Sequence, residues 1–350
     1  MEDKELFEKE SQWEQDSAPD SEIRKIQKTI RRRNWKNICI SVALAAMMLV
    51  VSVFGIIPWA ESLYWNPEET NYRDGTDLEI TLQAYMELFN PGYYIPMGIT
   101  WHRTGFASYD LEIPLAPVSH GERFSVGGSL KRNTLRLDEA FHSPEGKDYC
   151  AFSRFRLPAY PDPPSHVEAQ REKLRMLPEY IRVEAAITFT EDLSMGELVT
   201  FWRDMVFESD TQDPYANISW VAVRSMEPST EWTPFCGMSF WGSSRPYNLV
   251  DLDYRCFSSP ANMDQESLEY HFKSLLRYSA DQLEKGKGIA PYGDGELYNE
   301  ILEYVEENGV KTYGVVVTGT PQLLLELMDH EQVYSINLLD CWLDIDWTQF

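Results

Sequence analysis

The segment Ile38–Ile57 (ICISVALAAMMLVVSVFGII) contains no charged residue and decides how the rest of the chain is arranged. About 20 apolar residues in a helix span a hydrocarbon core of about 30 Å, and neither core helices nor strands need an uncharged run of this length. A helix also satisfies its own backbone inside a membrane, so Gly55 is tolerated there. We therefore predict a membrane-spanning helix over residues 38–58, with the polar parts of the chain on opposite sides of the membrane.

The flanks of this segment predict its orientation. Seven Lys or Arg residues and no acid lie within residues 23–36, whereas acidic residues follow the span. Positive charge is retained on the cytoplasmic side, and aromatic side chains anchor a helix at the two head-group levels. The predicted anchors are Arg31, Arg32, Arg33, Trp35 and Trp59. We expect a single-pass cell-membrane protein with a cytoplasmic N-terminus and an extracytoplasmic C-terminal part.

A cleavable signal peptide is the alternative interpretation of the apolar segment. Its apolar core is normally shorter, follows a brief basic start and ends at a site of small residues. Here 37 residues precede the segment, and Pro58-Trp59-Ala60 does not resemble such a site. The sequence therefore favours an uncleaved anchor.

The charge of the chain is unevenly distributed. The formal net charge is −25; residues 1–22 contribute −7, from nine acidic and two basic residues, and residues 23–36 contribute +7. These two contributions cancel, so the whole net negative charge lies after the span. We expect such an acidic extracytoplasmic part to repel nucleic acid and anionic head groups. We predict no direct nucleic-acid partner. With 43% apolar and 13% aromatic residues, the chain is able to build a substantial core.

The cytoplasmic tail, residues 1–37, has two parts. Residues 1–22 are acidic, and their large apolar side chains are the isolated Leu6, Phe7 and Trp13. This composition is typical of a solvated, disordered segment, and the alternative is a segment that orders on a cytoplasmic partner with these three residues as anchors. Residues 21–36 are predicted to form a basic helix that lies on the anionic inner leaflet and continues into the span.

After the span, residues 59–157 are predicted to be strand-rich. Tyr109–Leu115 alternates apolar and polar residues, and short strands broken by glycines follow it. Asp77–Phe89 alternates like a strand in its first half and fits a helix in its second. Prolines cluster in residues 158–166, and because proline ends both kinds of element, this segment is predicted to be a linker between two domains.

Residues 167–350 alternate between strand and helix patterns. Ser194 to Glu197 has the spacing of a capping box, and Thr320-Pro321 is a helix start. Strands are predicted at 183–189, 218–223, 312–317 and 333–339, and helices at 195–205, 265–283, 296–307 and after Thr320. The predicted fold class is α+β: a single transmembrane helix, a strand-rich region and a C-terminal α/β sandwich with βαβ-like units and helices on one face of the sheet.

The sequence contains no catalytic pattern. Its six histidines are scattered, and it has no nucleophile elbow and no phosphate-binding loop. The grouped acidic residues do not match a calcium-binding loop, and a solvated surface explains them more simply. They are Asp251, Asp253, Asp294, Glu296, Asp340, Asp344 and Asp346. We therefore predict no enzyme activity, no metal site and no cofactor.

An insertion at residues 227–260 is rich in aromatic residues and proline. Its aromatic side chains could line a ligand pocket, although core packing is the commoner use of such residues. The candidates are Trp232, Phe235, Phe240 and Trp241. Four cysteines follow the span and permit one or two disulfides, but their spacing selects no pairing: Cys150, Cys236, Cys256 and Cys341.

Four segments of the C-terminal part carry a resemblance to a known family. They are Leu177–Tyr180 (LPEY), Val183–Met195 (VEAAITFTEDLSM), Ser219–Arg224 (SWVAVR) and Tyr313–Leu325 (YGVVVTGTPQLLL). These segments resemble the C-terminal domain of sigma factor regulator proteins, which are membrane-anchored anti-sigma factors of Firmicutes. The basic segment, the single span and Glu87–Gly92 (ELFNPG) also fit this family.

The resemblance implies a negative regulator that holds an extracytoplasmic-function sigma factor at the inner face of the membrane until an envelope signal releases it. The implied partners are that sigma factor, membrane lipids and, as a further candidate, another membrane protein. A tail this short has room for one helix on a sigma factor, so affinity would depend on a few apolar anchors and complementary charge. Two alternatives are an anchored extracytoplasmic binding domain without a transcriptional role and an exported hydrolase that uses the paired acids.

Overall fold

The structure is a computed structural model of the chain. It describes residues 20–69, 76–96, 98–142, 163–205, 211, 213, 216–227, 235–240 and 264–343. The chain divides into two compact units, Met1–Leu63 and Tyr64–Phe350.

The first unit is helical from Asp20 to Glu61. Helix α1 (Asp20–Val51) continues through a π-helical turn (Ser52–Ile56) into the short helix α2 (Ile57–Glu61). The N–H of Ile57 donates to the carbonyl of Ser52, five residues back. Pro58 explains this turn, because proline has no N–H to donate and its ring collides with the carbonyl four residues before it.

Residues Arg24–Glu61 include a window with a mean hydropathy of 2.7, none of which is buried. Of the described helices, this one is long and apolar enough to cross a membrane. The predicted basic helix at 21–36 is confirmed as a helix, and it runs without a break into the apolar segment. Its placement on the inner leaflet stays a prediction.

The second unit begins with a helix and a small antiparallel sheet. The strands follow the order β1-β3-β4-β5, and β2 pairs with β3. The elements are α3 (Asp77–Phe89), β1 (Tyr93–Tyr94), β2 (Thr100–Gly105), β3 (Ser108–Pro117), β4 (Phe124–Lys131), β5 (Thr134–Leu137) and α4 (Glu139–His142).

Helix α3 resolves the ambiguous segment at 77–89. The side chain of Thr76 caps it by accepting from the N–H of Glu79. Leu78, Ile80 and Leu82 alternate like the residues of a strand, yet all three are buried. The helix is buried nearly all round, so its apolar residues are not confined to the positions of one helical face.

The C-terminal part contains a second, five-stranded sheet and its helices. A 3₁₀ turn (Pro291–Gly293) precedes one helix. The elements are α5 (Pro164–Met176), β6 (Ile181–Ser194), α6 (Met195–Arg203), β7 (Asn217–Val223), β8 (Cys236–Ser239), α7 (Gln265–Glu284), α8 (Leu297–Asn308), β9 (Lys311–Gly319), α9 (Pro321–Met328) and β10 (Val333–Leu343).

The topology of this sheet accounts for the βαβ-like passages. Its strand order is β10-β6-β9-β7-β8, and each neighbouring pair is antiparallel. Strands β6 and β7 are therefore parallel to each other with β9 between them, and β9 and β10 are parallel with β6 between them. The passages β6-α6-β7 and β9-α9-β10 are two interleaved split βαβ units. The predicted α+β class is confirmed.

Both faces of the five-stranded sheet are buried. Along β6, Val183, Ala185 and Ile187 belong to the main core, whereas Ala186 belongs to a second, smaller apolar cluster. The main core also includes residues of α3 and β3, so the strand-rich part and the C-terminal part share it. The division into domains at 59–157 and 167–350 stays a prediction. Part of the predicted linker is helical, because α5 begins at Pro164.

Candidate functional site

The predicted aromatic pocket lies only partly within the described residues. Phe235 and Phe240 are buried, at 7% and 0% exposure. Phe235 stacks on Trp220 with 4.8 Å between ring centroids, and Phe240 lies against Trp202 at 5.8 Å. Trp232 and Trp241 lie outside the described residues. The two described rings pack within the fold, and the pocket itself stays a prediction.

The other predicted site residues divide in the same way. The anchor residues of the first unit are on exposed positions of the long helix: Arg31, Arg32, Arg33, Trp35 and Trp59. The candidate partner-binding residues of the tail lie outside the described residues: Leu6, Phe7 and Trp13. The same is true of two of the four cysteines, Cys150 and Cys256, and of four of the grouped acidic residues, Asp251, Asp253, Asp344 and Asp346. Within the part of the chain that the structure describes, no group of three or more His, Cys, Asp or Glu side chains could hold a metal ion.

Cys236 is a free and fully buried thiol. Burial raises its pKa to about 12, because a thiolate is poorly stabilised in an apolar environment. The thiolate is the reactive form of cysteine, so this residue is inert at neutral pH. We assign Cys236 to packing.

A buried polar cluster connects α3 to the C-terminal part. We call it the Glu87 node, defined by Glu87, Trp220, Ser239 and His271. The Oε1 atom of Glu87 accepts from the N–H of Ser239 at 3.2 Å and lies 2.6 Å from Nε2 of His271. The backbone carbonyl of Glu87 accepts from Nε1 of Trp220 at 2.8 Å. Glu87 is 7% exposed and His271 is 0% exposed. The node therefore connects α3 to β7, β8 and α7.

A second set of contacts holds the other end of α3. The hydroxyls of Thr81 and Tyr278 are 3.2 Å apart, and the Tyr278 hydroxyl also donates to the carbonyl of Asp77. Lys287, just after α7, has its Nζ 2.6 Å from Oε2 of Glu69 and 3.8 Å from Oδ2 of Asp77. Helix α3 is therefore fixed to the C-terminal part at both of its ends.

The contacts of the Glu87 node hold the position of α3 against the C-terminal part. Burying a carboxyl group is costly unless hydrogen bonds compensate for lost water. Glu87 obtains these contacts only while α3 stays against β8 and α7, so the node couples the position of α3 to the packing of the C-terminal part.

Sequence reasoning did not identify this node. Glu87 was noted only as part of the Glu87–Gly92 motif, and His271 only as one of six scattered histidines. A usable signal was present in α7, where His271 is three residues after Leu268 and next to Phe272 on the buried face. A histidine on such a face needs a buried polar partner, although the sequence does not say which residue supplies it.

Comparison with known proteins assigns the C-terminal part. Residues 174–339 match the family model described as sigma factor regulator C-terminal. The chain contains a sigma factor regulator C-terminal domain. Searches of curated proteins and of solved structures found no match. The resemblance to the sigma factor regulator family is confirmed, and the match extends from α5 into β10, across both split βαβ units.

The extent of the match also clarifies the Glu87 node. Trp220, Ser239 and His271 lie inside the sigma factor regulator domain, whereas Glu87 precedes it by many residues. The node is thus a contact between the family domain and α3, the first described helix of the second unit. The family is a regulatory one rather than an enzymatic one, and it indicates an anti-sigma factor with a sigma factor as its partner.

Proposed function

We propose that this protein is a single-pass anti-sigma factor that holds an extracytoplasmic-function sigma factor at the cytoplasmic face of the membrane. One observation carries the proposal: the sigma factor regulator C-terminal domain is on the same chain as a helix long enough to span a membrane. A sigma factor is cytoplasmic, so the part that binds it lies on that side of the membrane.

The orientation follows from the charges of the first unit. The basic residues of helix α1, which include Arg31, Arg32 and Arg33, precede the apolar segment, and acidic residues follow it. Each basic residue near an anionic leaflet contributes about 1 kcal/mol of attraction. The N-terminal tail is therefore cytoplasmic, and the sigma factor regulator domain is extracytoplasmic, where it senses an envelope signal.

Residues 1–37 bind the sigma factor in this proposal. Leu6, Phe7 and Trp13 are the large apolar side chains of an otherwise acidic segment, and a few such anchors supply most of the binding energy in small interfaces. The surrounding acidic residues favour a basic surface on the partner, because complementary charge accelerates association.

In this proposal the Glu87 node passes the signal from the sigma factor regulator domain to α3. A signal that changes the packing of β7, β8 or α7 changes the contacts of Glu87 and therefore the position of α3. Helix α3 is the first described helix of the second unit along the chain. The alternative, an anchored ligand-binding domain without a transcriptional role, gains no support from Phe235 and Phe240, which are buried.

Transcript measurements in the host organism test this function. Deleting the gene should raise the level of the transcripts that depend on one extracytoplasmic-function sigma factor. Expression of the full chain should lower these transcripts to the level found before the deletion. A chain with Leu6→Ala, Phe7→Ala and Trp13→Ala should leave these transcripts raised. The matched variant of polar residues, Ser11→Ala, Gln12→Ala and Gln15→Ala, should lower them as the unchanged chain does. Unchanged transcripts of every such sigma factor on deletion would refute the proposal.

A further inference from the structure

We propose that helix α1 is the interface between two parallel copies of this chain. The contact surface, which we call the α1 stripe, consists of Ile26, Ile30, Asn37, Ile40, Leu44 and Met47. With Arg33 included, these positions are spaced alternately by four and three residues. This spacing is the heptad repeat of two helices that supercoil around each other.

The α1 stripe is an exposed surface in a single copy. Ile26 is 57% exposed, Ile30 is 53% exposed and Met47 is 63% exposed. Lipid covers Met47 inside a membrane, but Ile26 and Ile30 lie in the basic turns that precede the apolar segment. A second helix that packs on these two residues removes them from water.

Charge distinguishes the stripe from the other faces of α1. Five basic residues occupy heptad positions that point away from a partner helix: Arg24, Lys25, Lys28, Arg31 and Arg32. The positions that flank Ile26 and Ile30 are the uncharged Gln27, Thr29 and Asn34, and flanking charges are what decides partner choice in such helix pairs. Anionic head groups or an acidic partner are attracted to the basic faces, whereas Ile26 and Ile30 meet the same residues of a second copy. The charges that oppose the pair are Arg33, within the repeat, and Lys36, beside Asn37.

The membrane supplies the geometry that the α1 stripe requires. Every copy of a single-pass protein has the same orientation, so two α1 helices meet in parallel. Helix α1 is unbroken from Asp20 to Val51, so the stripe continues from the basic turns into the apolar segment over about 33 Å, at 1.5 Å per residue.

Asn37 and Arg33 are the two polar positions on this surface. A single buried Asn at a core position fixes the register and the two-stranded state of a helix pair, and Asn side chains also hydrogen-bond between helices in membranes. Asn37 is placed to bond with Asn37 of the second copy. Arg33 interrupts the apolar repeat and lowers the stability of the helix pair, so the two copies can separate.

Cysteine cross-linking in membranes tests the proposal on the full chain. The native thiols are first removed by Cys39→Ala, Cys150→Ser, Cys236→Ala, Cys256→Ser and Cys341→Ser. The chain is then expressed in a host without its sigma factor, so that the result is independent of the proposed function. Ile26→Cys, Ile30→Cys and Asn37→Cys should form at least several-fold more disulfide dimer than Lys25→Cys, Lys28→Cys and Arg32→Cys. Equal cross-linking at all six positions, or none at the first three, would overturn the proposal.

A matched pair of arginine variants gives a second reading of the same interface. In the Ile30→Cys background, Arg33→Leu should increase the cross-linked fraction because it completes the apolar repeat, whereas Arg32→Leu should leave it unchanged because position 32 is off the stripe. Energy transfer between fluorescent proteins fused to the N-termini of two otherwise native chains avoids the cysteine changes. Ile26→Lys together with Ile30→Lys should abolish the transfer, and a transfer signal that survives this change would also refute the interface.

Discussion

At the scale of single residues, Glu87 shows how a polar side chain is held inside the fold. Its carboxylate shares Oε1 between His271 and the backbone of Ser239, and its carbonyl holds the indole of Trp220. The sequence reveals a carboxylate inside the apolar run at 84–89, but Glu87 and His271 are 184 positions apart. No local pattern connects two residues at this separation, so this part of the site could not be predicted without the fold.

Replacing Glu87 by alanine should lower the free energy of unfolding by about 1–3 kcal/mol, because it removes a buried hydrogen-bond partner of His271 and Ser239. Glu87→Gln keeps an acceptor atom and should cost less. Urea denaturation of the full chain in nanodiscs, followed by near-ultraviolet circular dichroism, measures both changes. Glu306→Ala is the control, since its pair with Arg277 is exposed and contributes at most about 1 kcal/mol. An equal effect of Glu87→Ala and Glu306→Ala would contradict the structural role of the node.

Cys236 predicts a dependence of stability on alkaline pH. Its pKa is raised from the ordinary value of 9.0 to about 12 in the folded protein. Above pH 9 the thiol ionises in the unfolded chain while it stays protonated in the folded one, so the unfolded state is favoured as pH rises toward 12. This contribution lowers the free energy of unfolding by at most about 1.4 kcal/mol per pH unit.

Urea denaturation under reducing conditions between pH 9 and 11 measures this slope. The slope should be less steep in Cys236→Ala than in the unchanged chain. Cys341→Ala removes an exposed thiol and should leave the slope as it was. A slope that Cys236→Ala does not alter would show that the thiol is accessible to water.

At the scale of helices and strands, the elements that the sequence predicted are those with a regular spacing of apolar residues or a capping residue at the start of a helix. The capping box of Ser194 and the cap of Thr320 are both present in the structure, and β7 and β9 begin within one residue of their predicted starts. Strand β8 was not predicted, because four residues inside an aromatic insertion show no period. Helix α5 was not predicted because prolines were taken to end an element, whereas Pro164 stands in the first turn, where proline is favourable.

Strand β8 depends on a glycine for its position in the sheet. A Cβ atom on Gly237 would overlap the carbonyl of Val221 and the ring of Trp220. Gly237→Ala should therefore lower the free energy of unfolding by about 1–3 kcal/mol, as overpacking does in other proteins. Gly295→Ala is the matched control, because its Cβ would be 3.7 Å from the nearest atom, an ordinary contact, and its cost should stay within about 0.5 kcal/mol. The same denaturation assay compares the two, and equal costs would contradict the close approach of Trp220 to β8.

At the scale of the whole molecule, the chain combines a sigma factor regulator domain with a helix of membrane-spanning length. The net charge of −25 lies wholly after the apolar segment, and such an acidic part repels nucleic acid. Regulation of transcription therefore requires an intermediary protein, and residues 1–37 are the part of the chain proposed to bind it. In the proposed topology, the apolar segment is the covalent connection between the C-terminal domain and that segment.

Capture of the sigma factor tests this proposal most directly. The full chain, affinity-tagged at its C-terminus, is purified from solubilised membranes of its host, and the retained proteins are identified by mass spectrometry. We predict that an extracytoplasmic-function sigma factor is retained by the full chain and by the Ser11→Ala, Gln12→Ala, Gln15→Ala variant, and is lost with Leu6→Ala, Phe7→Ala, Trp13→Ala. The absence of any sigma factor from the full chain, or its equal retention by both variants, would contradict the proposal.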